Sequence, residues 1–101
     1  MKWYTKGAML GDASCQVNLG SIFYRGIAVP QDKAESAKWY QKAALQDLPE
    51  ALHSMGVLFF QGWEGQPPNN QEAKKFLQKA ADKGVIKSKL LLQKILKSED
   101  S

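Results

Sequence analysis

The sequence KWYQKAALQD at residues 38–47 has a near copy, KWYTKGAMLG, at residues 2–11. The two stretches lie 36 residues apart, so that Trp3-Tyr4 corresponds to Trp39-Tyr40. A period of about 20 to 50 residues is typical of proteins built from repeated supersecondary units. The stretch therefore predicts that one local structure is formed more than once in this chain.

The correspondence continues beyond these two stretches. At the same spacing Leu19-Gly20 falls on Met55-Gly56, and Gly26 falls on Gly62. The loop that begins at Gly62, GWEGQPPNN, is longer than its counterpart GIAVPQD, and after it the spacing becomes 37 residues. Because the slip occurs where turn residues cluster, it supports a true structural repeat.

Each unit has the pattern of two helices. Apolar residues recur at helical spacing through 13–25, Asp12 is suited to cap the start of this helix, and Gly26 is suited to end it. Asp32 and Glu35 then form a variant of the capping box, which the pair Asn69/Glu72 repeats. No strand pattern competes with this interpretation. The predicted helices are 2–10, 13–25, 33–46, 49–61, 70–83 and 85–97.

Two glycines, Gly20 and Gly56, fall inside predicted helices, where glycine costs about 1 kcal/mol relative to alanine. We expect the close approach of another helix to compensate for this cost. Cys15 corresponds to Ala51 and is expected to be a small packing residue. The aromatic residues expected to pack between helices are Trp3, Tyr4, Trp39, Tyr40 and Phe76.

The tail VIKSKLLLQKILK at 85–97 predicts a last amphipathic helix, whose lysines would face water and make it a cap. The residues expected to pack are Val85, Leu90, Leu91, Ile95 and Leu96. The chain is thus predicted to be a single domain over 1–101, with a partial repeat at 1–11, repeats at 12–47 and 48–84, and a C-terminal capping helix at 85–98.

Composition excludes several classes of protein. The chain has 101 residues, of which 44% are hydrophobic and 24% charged, as in one ordinary globular domain. It contains no apolar run long enough for a membrane span and no secretory h-region, so we expect a cytoplasmic protein. The single cysteine offers no internal disulfide. The formal charge of +4 is concentrated in late lysines, which favour a solvated helix face over a nucleic-acid site.

The repeated positions together resemble the Sel-one-like repeat, a sister of the tetratricopeptide repeat. The resemblance covers nearly the whole chain. It departs at Asp47, which stands where the family has glycine, and in the longer second loop with Pro67-Pro68. It implies an all-α fold, a right-handed superhelix of antiparallel helix pairs that serves as a scaffold for other proteins. The residues that carry it are Cys15, Leu19, Gly20, Phe23, Gly26, Val29, Pro30, Asp32, Ser36, Trp39, Tyr40, Ala43 and Ala44.

The same resemblance implies that the first helix of each pair lines a concave groove that binds a protein or peptide partner. The groove would suit an apolar or amphipathic segment. In the alternative interpretation, Tyr24 and Phe60 pack between units and show only their edges. The groove positions implied by the resemblance are Val17, Ser21, Tyr24 and Arg25 in the first unit, and His53, Val57, Phe60 and Gln61 in the second.

No pattern in the sequence predicts catalysis. His53 is the only histidine, and no cysteine, histidine or carboxylate cluster lies near it at ligand spacing. The chain has no nucleophile elbow and no phosphate-binding loop. We therefore expect neither an active site nor a metal or other cofactor.

A structural role is the second hypothesis. The chain begins in the middle of a repeat, so the first helix would leave one apolar side uncovered. In this hypothesis the chain is a fragment or self-associating unit of a longer repeat array, with a homo-oligomer formed through the exposed N-terminal end.

Overall fold

The computed structural model describes residues 2–100, and the side chains of residues 6–99. All the predicted helices are confirmed. The third helix ends at Ala44, two residues earlier than predicted. The last helix starts at Ile86, one residue later than predicted, and extends to Asp100. The helices are α1 (Lys2–Met9), α2 (Ala13–Arg25), α3 (Lys33–Ala44), α4 (Pro49–Gln61), α5 (Asn70–Asp82) and α6 (Ile86–Asp100).

The helices pack as successive pairs. The most extensive contacts are between α2 and α3, which form the first pair, and between α4 and α5, which form the second. The first pair packs on the second through α3 and α4. Helix α6 packs on α5 and also touches α4. The result is an elongated all-α body of 46 × 28 × 17 Å, as a stack of repeated helix pairs predicts.

The helical glycines mark the closest approach within each pair. A Cβ atom built on Gly20 would lie 3.1 Å from ring atoms of Tyr40, and one built on Gly56 would lie 2.6 Å from Leu77. Tyr40 and Leu77 occupy equivalent positions in the repeat. The expected close helix crossing is therefore confirmed in both units.

The predicted helix caps are formed, but the capping boxes are not reciprocal. The side chains of Asp32 and Asn69 accept hydrogen bonds from backbone N–H groups three residues later. The backbone N–H of Asp32 is donated to the carbonyl of Phe23 at 2.8 Å, and that of Asn69 to the carbonyl of Phe59 at 2.7 Å. These bonds connect each loop to the helix before it. The backbone N–H of the capping residue is therefore not available to the glutamate side chain of the capping box.

Asp47 lies in the turn after α3 and adopts a left-handed backbone conformation, as the equivalent glycines do. Its φ is 60°, in the left-handed region, and its N–H is donated to the carbonyl of Ala44 at 2.9 Å. The equivalent residues Gly11 and Gly84 have φ values of 93° and 96°. The turn therefore survives the departure from glycine, at a cost in backbone strain.

Packing of the repeated aromatic residues is confirmed where their side chains are described. Trp39 and Tyr40 are buried, and Phe76 stacks on Phe59 with ring centroids 5.7 Å apart. Trp3 and Tyr4 lie outside the described side chains. Cys15 is half-buried against Ala8, Leu19 and Trp39, and burial and the Asp12 carboxylate raise the pKa of its thiol, as befits a packing residue.

The packing face of α6 was predicted wrongly in part. Leu90 and Leu96 are 60% and 44% exposed, whereas Ser88 and Leu92 are 0% and 8% exposed. Ile95 is buried, and Val85 and Leu91 are half-buried, as expected. A spacing of 37 residues matches the buried residues Ser88, Leu92 and Ile95 to the buried residues Ala51, Met55 and Leu58. The core face of α6 thus follows the spacing of the repeat.

Candidate interaction surface

Residues from two successive units meet in one pocket. Tyr24 of α2 and His53 and Val57 of α4, all predicted groove positions, line it together with Tyr40 and Ser54. Its volume is about 90 Å³. We call this the α2–α4 pocket, and it brings together predicted positions from both repeats.

Tyr40 enters this pocket from α3, the second helix of its pair. Its ring lies on Gly20, and the side chains of Ser54 and Ser21 lie near its hydroxyl. Burial raises the pKa of Tyr40, and the two serine side chains oppose only part of this rise. Because the pKa lies above its ordinary value, the phenol is protonated at pH 7. Ser21, another predicted position, therefore supports the pocket through Tyr40.

Tyr24 and Gln61 connect the first helices of the two units. The Tyr24 hydroxyl donates a hydrogen bond of 2.8 Å to Oε1 of Gln61. Nζ of Lys33 lies 3.5 Å from the same oxygen and 5.7 Å from the centroid of the Tyr24 ring. Lys33 was not predicted as a site residue, because it belongs to the first turn of α3.

His53 connects α4 to α6. Its Nδ1 lies 2.6 Å from Oγ of Ser88, which is fully buried. Burial, with the nearby charge of Lys87, lowers the pKa of His53, so the imidazole is neutral at pH 7. Within the described residues, no group of three or more histidine, cysteine or acidic side chains is arranged to hold a metal ion.

The remaining predicted positions differ in exposure. Arg25 and Gln61 are exposed, and Phe60 is 40% exposed. Val17 is 9% exposed and belongs to the core formed with Leu52 and Met55. Val17 therefore offers a partner little surface.

A further part of the surface lies on α6 and was not predicted. It is a broad depression of about 450 Å³, which we call the α6 depression. The repeat spacing of 37 residues, applied to His53, Val57 and Phe60, leads to Leu90, Lys94 and Lys97, so the signal was present in the sequence. The lining residues are Leu90, Leu91, Gln93, Lys94 and Lys97.

Comparison with known proteins identifies the repeat. A family model described as Sel1 repeat matches residues 1–12, 13–48 and 49–85. The chain is 34% identical, over 87 residues, to chitin synthase regulatory factor 3 of Schizosaccharomyces pombe, covering 84% of this chain and 9% of that protein. None of the helices in the described part of the chain is long and apolar enough to cross a membrane.

Solved structures share the fold. A Sel1 repeat protein from Oxalobacter formigenes superposes with a TM-score of 0.89 at 30% identity, covering 94% of this chain and 27% of that one. The protein c5321, a protective antigen of uropathogenic Escherichia coli with an SLR fold, superposes with a TM-score of 0.87 at 26% identity, covering 91% and 20%. The chain thus spans about a tenth to a quarter of the length of these relatives.

Proposed function

This chain belongs to the Sel1 repeat family, and from that premise we propose that it is a non-catalytic module that binds a protein or peptide partner. The partner contacts the surface formed by α2, α4 and α6. The observation that carries the proposal is the α2–α4 pocket, in which apolar and aromatic side chains of successive repeats surround an open cavity. Such a cavity suits an anchor side chain of a partner segment.

The hydrogen bonds around the pocket support this function, because they fix its walls before a partner arrives. Tyr24 is bonded to Gln61, and His53 to Ser88. A preformed pocket costs little ordering entropy on binding. The S. pombe relative is by name a regulatory factor, which agrees with a binding role.

The surroundings of His53 support a non-catalytic role. Its polar neighbours are the hydroxyl of Ser88 and the ammonium group of Lys87, neither of which is the carboxylate that would orient a catalytic imidazole. We therefore assign the pocket to recognition.

A structural role is the second candidate. Met9 and Leu10, at the end of α1, are 74% and 79% exposed, which offers an apolar contact for another copy or another repeat. Light scattering over a range of concentrations tests it, since a strict monomer at high concentration would exclude self-association.

The test of the proposed function is affinity capture from the source cell with a matched pair of variants. Tyr24→Ala/Phe60→Ala alters the proposed surface, and Leu45→Ala removes an apolar side chain that is 80% exposed elsewhere. Circular dichroism must show that both variants are folded. A protein lost by the first variant and kept by the second supports the proposal, and equal capture by both rejects the surface.

A further inference from the structure

We propose that this surface recognises an acidic segment of a partner protein, which places a branched aliphatic side chain in the α2–α4 pocket and its carboxylates over the lysines of α6. The inference rests on the protein-binding function proposed above and specifies the chemistry of the partner.

The charge of the surface is the first argument. The groove positions of α2, α4 and α6 include three cations, Arg25, Lys94 and Lys97, and no acidic residue. Lys33 stands beside Tyr24, and Lys87 acts on His53. Five positive charges thus border an apolar pocket and the α6 depression. Such a field attracts an acidic segment and rejects a basic one.

The nearby acids offset only part of this positive charge, and least on α6. Glu99 of α6 pairs with Lys74 of α5 at 2.7 Å, on the opposite side of the helix from Lys94. Asp32 and Glu64 line a separate depression together with Lys33, so they offset part of the charge of Lys33. Glu50, in the first turn of α4, lies one helical turn before His53 and adds a negative charge at that end of the helix.

The size of the pocket selects its occupant. A volume of about 90 Å³ is smaller than the cavity of about 150 Å³ that accommodates a benzene ring. Tyr24, Tyr40 and Val57 make the lining largely apolar. A leucine or isoleucine side chain therefore suits this pocket better than a complete aromatic ring.

The continuity of the surface sets the spacing of the ligand. His53 lines the α2–α4 pocket and is bonded to Ser88, so the first turn of α6 lies beside the pocket. Packed helices lie about 8–10 Å apart, a distance that an extended peptide spans in about three residues. The acidic residues should therefore lie about three residues from the aliphatic anchor.

Fluorescence anisotropy with labelled peptides of about twelve residues tests the proposal. The first peptide has a central leucine and a cluster of Asp and Glu about three residues away. The second replaces the leucine with serine, and the third replaces the acids with lysine. We expect each replacement to weaken binding at least about tenfold, and added salt to weaken binding of the first peptide.

Two charge-matched variants locate the interaction. Lys94→Glu/Lys97→Glu and Lys79→Glu/Lys83→Glu both change the formal charge from +4 to 0, but the second pair is exposed in and just after α5. The first variant should lose about tenfold in affinity for the acidic peptide and the second less than about twofold. Equal losses in both variants would show that only net charge matters and would overturn the proposal.

The remaining outcomes separate this inference from the proposed function. If the acidic peptide binds no better than its lysine counterpart, or if a single-stranded oligonucleotide binds better than either, the acidic-segment proposal is wrong. If a natural partner nevertheless depends on Tyr24 and Phe60, the proposed function stands without it. If no captured protein depends on those residues, the proposed function fails as well.

Discussion

Leu77 occupies the space where Gly56 would carry a side chain, with its Cδ2 atom 2.6 Å from the position of the missing Cβ. The contact joins α4 to α5, and the same relationship joins Gly20 of α2 to Tyr40 of α3. The two helices of each pair therefore approach most closely at a glycine, where a side chain would displace its neighbour. This relationship determines how far the first helices of the units can approach their partners, and so where the pocket residues stand.

Substitution of Gly56 by alanine should destabilise the protein. Alanine favours the helix by about 1 kcal/mol, but overpacking costs about 1–3 kcal/mol, and the neighbouring Ala73 carbonyl at 3.3 Å limits relaxation. The net effect expected in urea unfolding is a loss of up to about 2 kcal/mol.

A double-mutant cycle with Leu77→Ala provides the control for this prediction. Leu77→Ala alone creates a cavity, but it also removes the atoms that clash with a Cβ at position 56. Gly56→Ala should therefore cost less in that background. Equal costs in both backgrounds would show that the contact with Leu77 does not require glycine.

Substitution of Asp47 by glycine should stabilise the protein. Asp47 has a φ of 60°, which glycine adopts without strain. The gain is about 0.5–1 kcal/mol, because relief of strain exceeds the entropy that glycine adds to the unfolded chain. For a domain of this size, thermal unfolding should shift upward by about 2–8 °C. Leu45→Gly, at an exposed position two residues earlier with a φ of −64°, should lower the midpoint instead.

The stability of the protein should depend on pH through His53. Burial and Lys87 lower the pKa of its imidazole below the ordinary value of 6.5, so the unfolded chain binds a proton more readily than the folded one. The neutral imidazole of His53 therefore favours the folded state. This contribution to stability is fully present above pH 6.5 and is lost as the pH falls through the lower pKa of the folded state.

Urea unfolding at several pH values between about 7.5 and 5.5 measures this effect, in a range that lies above the ordinary pKa of the carboxylates. His53→Gln should remove most of the pH dependence in that range. Lys87→Met should reduce it, because one cause of the shift is then absent. Parallel pH profiles for the wild type and His53→Gln would contradict the assignment to this residue.

Removal of the helix cap at Asp32 should weaken the start of α3. The Asp32 side chain accepts a hydrogen bond of 3.0 Å from the backbone N–H of Glu35. Asp32→Ala should cost about 1 kcal/mol in the free energy of unfolding. Asn69→Ala, at the equivalent cap of α5, should cost a similar amount, whereas Ala34→Ser, next to the cap and exposed, should have little effect. A loss confined to one cap would show that the two repeats do not start their second helices in the same way.

Most of the fold could be predicted from the sequence, because helix ends are fixed by local chemistry. Asp12 and Asp32 cap helices as their types and spacing suggest, and Gly26 ends α2 in the left-handed conformation. At position 47, where the family has glycine, Asp47 keeps the left-handed backbone of the turn. Aspartate also tolerates that conformation, at a cost.

The face of α6 could not be chosen from hydrophobicity. Residues 90–92 are all leucine and span more than half of the helix circumference, so composition does not show which of them faces α5. Only the repeat spacing, which matches Leu92 to Met55, distinguishes them.

The pocket could be predicted only in part, because one of its lining residues comes from the second helix of a pair. Tyr24, His53 and Val57 lie on first helices, where the groove was expected, but Tyr40 comes from a second helix and reaches the pocket only across Gly20. Such a contribution depends on the distance between helices, and no spacing along one helix reveals it.

The glycine positions also bear on how such an array can lengthen during evolution. Gly20 and Gly56 admit the helix that follows, and the residue 37 positions after Gly56 is Gln93. Lys89 likewise stands where α4 has the buried Leu52. A helix packed on α6 would meet the long side chain of Gln93 where α5 meets Gly56. It would therefore lie further from α6 than α5 lies from α4. A helix that follows α6 could therefore pack as α5 packs on α4 only if position 93 were glycine.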